Sequence, residues 1–168
     1  MKTNSVAIKG KDSCCGCGNC AIFCPKNAVR MDLDGEGFEY PTVDEDLCIN
    51  CGKCIKVCPF EVEKDEPCSN VLSCYSGFYN TDKEHLSTSS GGVATAISKS
   101  FIKSGGIVYG VAYADDYKSI IIRRVDDAKD LPQLKGSKYA QTYKGDTYLA
   151  AKLDLIEGKK VLYIGLPC

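Results

Sequence analysis

Cys14, Cys17, Cys20 and Cys24, followed by Pro25, read C-x2-C-x2-C-x3-C-P; Cys48, Cys51, Cys54 and Cys58, followed by Pro59, repeat that spacing 34 residues later. Three thiolates at i, i+3 and i+6 in a small glycine-containing loop can converge on three corners of one iron–sulfur cube. Gly16, Gly18 and Gly52 leave the backbone free to wrap closely and to aim N–H groups at the sulfurs. A zinc knuckle completes its tetrahedron from pairs of cysteines, so a third at the same step is surplus. Cys15 breaks the two-residue step and is the spare member of the Cys14–Cys15 doublet.

The elements that must position these thiols are short. Each fourth cysteine lies beyond one helical turn and faces away from the first three, and the proline after it disfavours helix at the preceding residue. Between the halves, AVRMDLDGEGFEYPTV has the Asp-Gly and flanking apolar residues of a β-hairpin. Residues 1–66 therefore resemble a bacterial-type two-cluster ferredoxin, an α+β fold. The resemblance implies two [4Fe–4S] clusters with crossed ligands: Cys14, Cys17, Cys20 and Cys58 on one, Cys48, Cys51, Cys54 and Cys24 on the other. Cluster burial would stand in for much of the apolar packing that so short a segment lacks.

Composition agrees with a reduced, metal-binding chain. Nine of the 12 cysteines fall in the two runs, with spacing too regular for disulfide stapling, and MKTNSVAIKGKD lacks a signal-peptide core. A cytoplasmic address and no membrane span are the expectations. Residues 1–66 hold 8 Lys/Arg against 12 Asp/Glu, while residues 67–168 hold 13 against 10. The acidic first part disfavours nucleic acid, whose binding rests on neutralised phosphates.

EVEKDEP (61–67) suits a module boundary, and residues 67–168 read as an α/β domain. NVLSCYSGFYN, IVYGVAYAD, SIIIRRV and VLYIG are expected strands, the last a buried one. SSGGVATAISKSFIKSGG is an expected helix with Val93, Ile97 and Phe101 on one face, stopped by Gly105–Gly106. GDTYLAAKLDLIEGKK is another, presenting Leu149, Leu153 and Ile156. STSSGG (87–92) stands directly before a helix, where exposed N–H groups and the positive helix end would suit a phosphate; a plain N-cap at Ser90 is the bland alternative. GSKYAQT (136–142) puts a lysine and a tyrosine in a glycine turn, on its own an ordinary loop.

Taken in order, STSSGGVATAI, GIVYGVAYADD, LKGSKYAQT, GDTYLAAKLDLIEGKKVLYIGLPC and the cysteine repeat resemble the coenzyme F-420 hydrogenase/dehydrogenase beta-subunit family over nearly the whole chain. The resemblance implies a flavoprotein that binds FAD and passes electrons between iron–sulfur clusters and the flavin, with a deazaflavin coenzyme or another acceptor as partner. It implies that Ser89, Ser90, Gly91 and Gly92 lie near the flavin diphosphate. Gly136, Ser137, Lys138 and Tyr139 would lie near the flavin or its hydride partner.

The family's flavin-binding domain continues past the Gly-x-Pro-Cys element on which this chain stops, so the α/β domain is expected to be incomplete, its sheet partly uncovered and prone to association. Two functions follow. One is an oxidoreductase subunit joining cluster electrons to a flavin, working with a redox partner protein. The other is a non-enzymatic ferredoxin-type carrier or binding module, in which residues 67–168 do no chemistry. Cys68 and Cys74, five residues between them, do not fit the ferredoxin spacing and read as buried or incidental thiols; Cys168 at the end is expected to hold nothing. His85 sits in a polar run, and no Ser–His–Asp or paired-carboxylate arrangement supports hydrolysis.

Overall fold

The computed structural model describes residues 4–61 and 72–165, which form two separate units. The 66/67 boundary, Cys68 and Cys168 lie outside the described residues.

The first unit is built twice from one plan. Helix α1 (Asn19–Ile22) and helix α2 (Lys53–Lys56) are single turns, each entered through a left-handed glycine, Gly18 at φ +80° and Gly52 at φ +72°. Two residues earlier the chain is left-handed again, at Gly16 (φ +62°) and Asn50 (φ +56°). The two loops meet that demand differently. A side chain at Gly16 would meet the Glu39 carbonyl oxygen at 2.7 Å, so glycine is required there. Asn50 is held by Asn4, whose backbone N–H donates to Asn50 Oδ1 at 2.9 Å.

Strands β1 (Val29–Leu33) and β2 (Glu39–Val43) form the expected antiparallel hairpin, with Val29 opposite Val43 and Leu33 opposite Glu39. Asp34 Oδ1 accepts from the N–H groups of Glu36 and Phe38, each at 3.0 Å, and fixes the turn. The core is thin: Val6, Val29, Cys20 and Cys54. Two of its four buried members are cysteines, so the thiols are where an apolar core would be.

The second unit holds helix α3 (Asp82–Leu86), helix α4 (Val93–Lys103), strands β3 (Ile107–Tyr113) and β4 (Ile120–Val125), a 3-10 helix (Ala128–Leu134), helix α5 (Thr147–Ile156) and strand β5 (Val161–Tyr163). The sheet order is β4-β3-β5, with β3 antiparallel to β4 and parallel to β5. Successive strand residues face opposite sides. Tyr109 therefore meets α5 while its neighbour Gly110 meets the 3-10 helix at Leu134. Gly105 stops α4 as expected: its N–H donates to Ile102 O and that of Gly106 to Phe101 O, and Gly158 and Lys159 close α5 in the same way.

Two expectations are corrected, the strand at NVLSCYSGFYN and the burial of β5. Residues 72–80 of NVLSCYSGFYN form no strand; Leu72, Tyr75 and Phe78 are exposed, and aromatic content without a neighbouring strand edge does not make a ladder. The outward faces of the two long helices are apolar. Val93 and Ile97 are half exposed, as are Leu149 and Leu153, with Ile156 more so, while Ser98, Ala151 and Asp154 are buried. β5 is half-buried rather than buried, because among the described residues it is hydrogen-bonded to β3 alone.

Candidate functional site

The ten described cysteines are all free thiols. Among the described residues no three His, Cys, Asp or Glu side chains converge closely enough to hold a single ion. The thiols instead ring two cavities. One is lined by Cys14, Cys17 and Cys20 of the first loop with Cys58 of the second, the other by Cys48, Cys51 and Cys54 with Cys24. Each loop supplies three thiols to one cavity and crosses its fourth into the other, and the prolines after the crossing cysteines stand in the walls.

Backbone donors already face the sulfurs. Gly16 N–H donates to Cys14 Sγ and Asn50 N–H to Cys48 Sγ, both at 3.4 Å, and Ala28 N–H donates to Cys24 Sγ at 3.3 Å. The first two come from the paired left-handed residues, so the backbone conformation that closes each loop also aims its donor. Four soft sulfur donors around a cavity, with amides pointed at them, fit a four-iron cube in each place. Burial pushes the Cys20 thiol up to about 12, with the neighbouring Cys17 sulfur adding to it, so the thiol is neutral until a metal displaces its proton. Cys15 lines the first cavity as a fifth thiol; the repeat places Ile49 at the corresponding position of the second. Cys74 is exposed and not buried as one of the sequence alternatives had it.

In the second unit a cavity of about 440 Å³ opens between α4, the sheet and the loop after the 3-10 helix. Its wall includes Gly136, Ser137 and Lys138, and from α4 the residues Ala94, Thr95 and Ser98. From α4 the small residues Ala94, Thr95 and Ser98 line this wall while Val93 and Ile97 are half exposed, which leaves space beside Gly110 instead of a filled core. Thr142, Thr95 and Ser137 add hydroxyls, while Leu131, Leu134 and Ile164 make part of the wall apolar. Ala94, Thr95 and Ser98 escaped the sequence reading as site residues; the signal that could have found them is the run of small residues in VATAIS.

Lys138 is the charged residue in that wall. Its Nζ donates to Lys135 O at 2.7 Å and lies 5.7 Å from the Tyr113 ring centre. Burial lowers its pKa from the ordinary lysine value. With no carboxylate in salt-bridge contact among the described residues, its charge is free to meet an anion.

The expected flavin residues divide. Gly136, Ser137 and Lys138 are brought to the cavity, and Lys135 Nζ donates to Ser87 Oγ at 2.8 Å, tying the loop before them to the start of STSSGG. Ser89, Ser90, Gly91 and Gly92 do not line it. A side chain at Gly91 would meet Gly77 O at 2.2 Å, and Tyr79 N–H donates to Gly91 O, so close packing of two chain segments accounts for that glycine. The N-cap of α4 is Gly92, at φ +77°, and not Ser90, which is itself left-handed at φ +54°. Tyr139 is 95% exposed and lines an adjoining open groove with Tyr113, Tyr117 and Tyr143, with Ser137 and Ala140 bordering both.

Residues 13–62 match the family model of the 4Fe-4S dicluster domain. The first unit is thus an N-terminal dicluster domain carrying two [4Fe–4S] clusters, followed by a mixed α/β region, and its work is iron–sulfur electron transfer. A curated relative, the coenzyme F420-dependent sulfite reductase of Methanocaldococcus jannaschii, is 29% identical over 167 residues. The match covers 99% of this chain and 25% of that protein, so the chain spans about a quarter of its relative's length. Among the described residues no helix is long and apolar enough to cross a membrane.

Proposed function

We propose that this chain is the electron-transfer part of a flavin-dependent oxidoreductase, in which the two clusters exchange electrons with FAD held in the second unit. Cys14, Cys17, Cys20 and Cys58 hold one cluster, and Cys48, Cys51, Cys54 and Cys24 hold the other. The observation that carries this reading is the pair of four-thiol cavities with crossed fourth cysteines, together with a mixed polar and apolar cavity bearing one unpaired lysine.

When bound, the clusters pass single electrons and the flavin exchanges a pair of them as a hydride. The chain's residues do the rest. Gly16, Asn50 and Ala28 direct N–H groups at ligand sulfurs, which stabilises the more negative state of each site. Lys138 meets phosphate or the polar edge of the flavin ring, and Thr95, Ser137 and Thr142 offer hydroxyl partners. Leu131, Leu134 and Ile164 cover apolar ring surface. The positive end of α4, whose first turn lines the cavity, favours the same anion. A deazaflavin coenzyme is the proposed hydride partner, supported by the relative's dependence on coenzyme F420 and by the F-420 family resemblance.

The test is anaerobic reconstitution with iron, sulfide and FAD, followed by desalting. The reading predicts about eight iron atoms and about one FAD retained per chain. Iron without flavin would leave a two-cluster carrier and overturn the oxidoreductase reading.

A further inference from the structure

The two cluster cavities share a plan of thiols with one lysine each and differ in how that lysine meets solvent. Apart from the thiols, the ionisable residue in the wall of the Cys14, Cys17, Cys20 and Cys58 cavity is Lys9; in the other it is Lys26. Lys26 is exposed, so water and salt screen it. The Lys9 side chain is only 7% exposed. Its ammonium bonds the Glu61 carboxylate and stands 5.9 Å from the centre of the Phe60 ring, two residues past Cys58. The lysine donates that bond and the carboxylate accepts it, so Lys9 stands in the wall as a cation with a carboxylate partner.

We propose that Lys9 makes the two clusters unequal: it raises the reduction potential of the cluster held by Cys14, Cys17, Cys20 and Cys58, so that a single electron on this chain rests there. Reduction adds a negative charge to a cluster, and a cation in a water-poor wall stabilises that added charge more than a solvated one does. Glu61 offsets part of the effect, which gives the device an adjustable element. The inference rests on the ligand assignment proposed above.

The experiment is a redox titration followed by electron paramagnetic resonance on the anaerobically reconstituted 168-residue chain. Wild type, Lys9→Met, Glu61→Gln and Lys26→Met are compared, with Cys58→Ser marking which signal belongs to the cluster beside Lys9. Lys9→Met should lower that cluster's potential and leave the other unchanged, Glu61→Gln should raise the same one, and Lys26→Met should move neither. Unchanged potentials in Lys9→Met at full iron content would overturn the proposal, as would an equal shift of both clusters. Should Lys9→Met fail to hold its iron, Glu61→Gln decides, since a rise confined to one cluster supports the proposal and no rise contradicts it. A wild-type chain with fewer than two clusters contradicts the cluster assignment itself, a different failure visible before any variant is made.

Discussion

A thiol's role here is set by which cavity it lines. Cys51 lines one cavity with Cys48, Cys54 and Cys24. Cys51→Ala should cut iron from about eight to about four atoms per chain, measured by iron assay on reconstituted protein; full iron in that variant would break the assignment. Cys15→Ala should keep about eight, because Ile49 occupies the corresponding wall of the other cavity without supplying a donor. In the second unit, Lys138→Ala should weaken FAD binding about tenfold or more, the scale of one charge-assisted hydrogen bond, read by flavin fluorescence. Tyr139→Ala should leave FAD binding unchanged, since that side chain lines a different groove. The cysteines were legible in the sequence because ligand spacing is local. Gly91 has a packing reason the sequence did not reveal because it is long-range: Gly77, fourteen positions away in the chain, lies against it.

At the level of elements, helix stops and the β1–β2 hairpin were legible from glycine and Asp-Gly positions, since both depend on a few neighbouring residues. Helix orientation was not. The apolar period of α5 groups Leu149, Leu153 and Ile156 on one face, yet the helix is anchored by Asp154, which accepts from Tyr109 Oη at 2.6 Å, Arg124 Nε at 2.9 Å and Lys159 Nζ at 3.0 Å. The partners lie on β3, on β4 and just past α5, so no periodicity within the helix could reveal them. The Arg124 guanidinium, with Tyr109 and Lys159, holds the Asp154 carboxyl well below the usual carboxylate range. Burial, with Asp154 beside it, pushes Tyr109 up to about 12. Asp154→Asn should destabilise this unit by about 2 kcal/mol, below the cost of breaking a fully buried pair because the Arg124 side chain is partly exposed to solvent. A carboxylate with a lowered folded pKa contributes fully above its unfolded value near pH 4 and loses that contribution as pH falls further. Thermal unfolding of wild type and Asp154→Asn should therefore differ by a constant amount from about pH 5 to pH 8 and converge in stronger acid. A gap that stayed constant into strong acid would contradict the ion-pair account.

For the whole molecule, the sequence divides into an acidic iron–sulfur part and a slightly basic α/β part, and the described residues likewise fall into two units. In the first, the loops, single-turn helices and hairpin were legible, because cysteine, glycine and proline spacing acts locally. The second was readable as strands and helices but not as a site: its cavity exists because small residues of α4 face Gly110 and the Gly136–Lys138 loop, a tertiary coincidence of three distant segments. The central claim is that clusters and flavin belong to one electron-transfer chain. Its most direct test is an anaerobic reductive titration of reconstituted protein, counting electrons while following flavin absorbance and cluster resonance together. The account predicts uptake of about four electrons per chain, one for each cluster and two for the flavin, with the flavin bleaching as the clusters reduce. Uptake of about two electrons with no flavin change would contradict it.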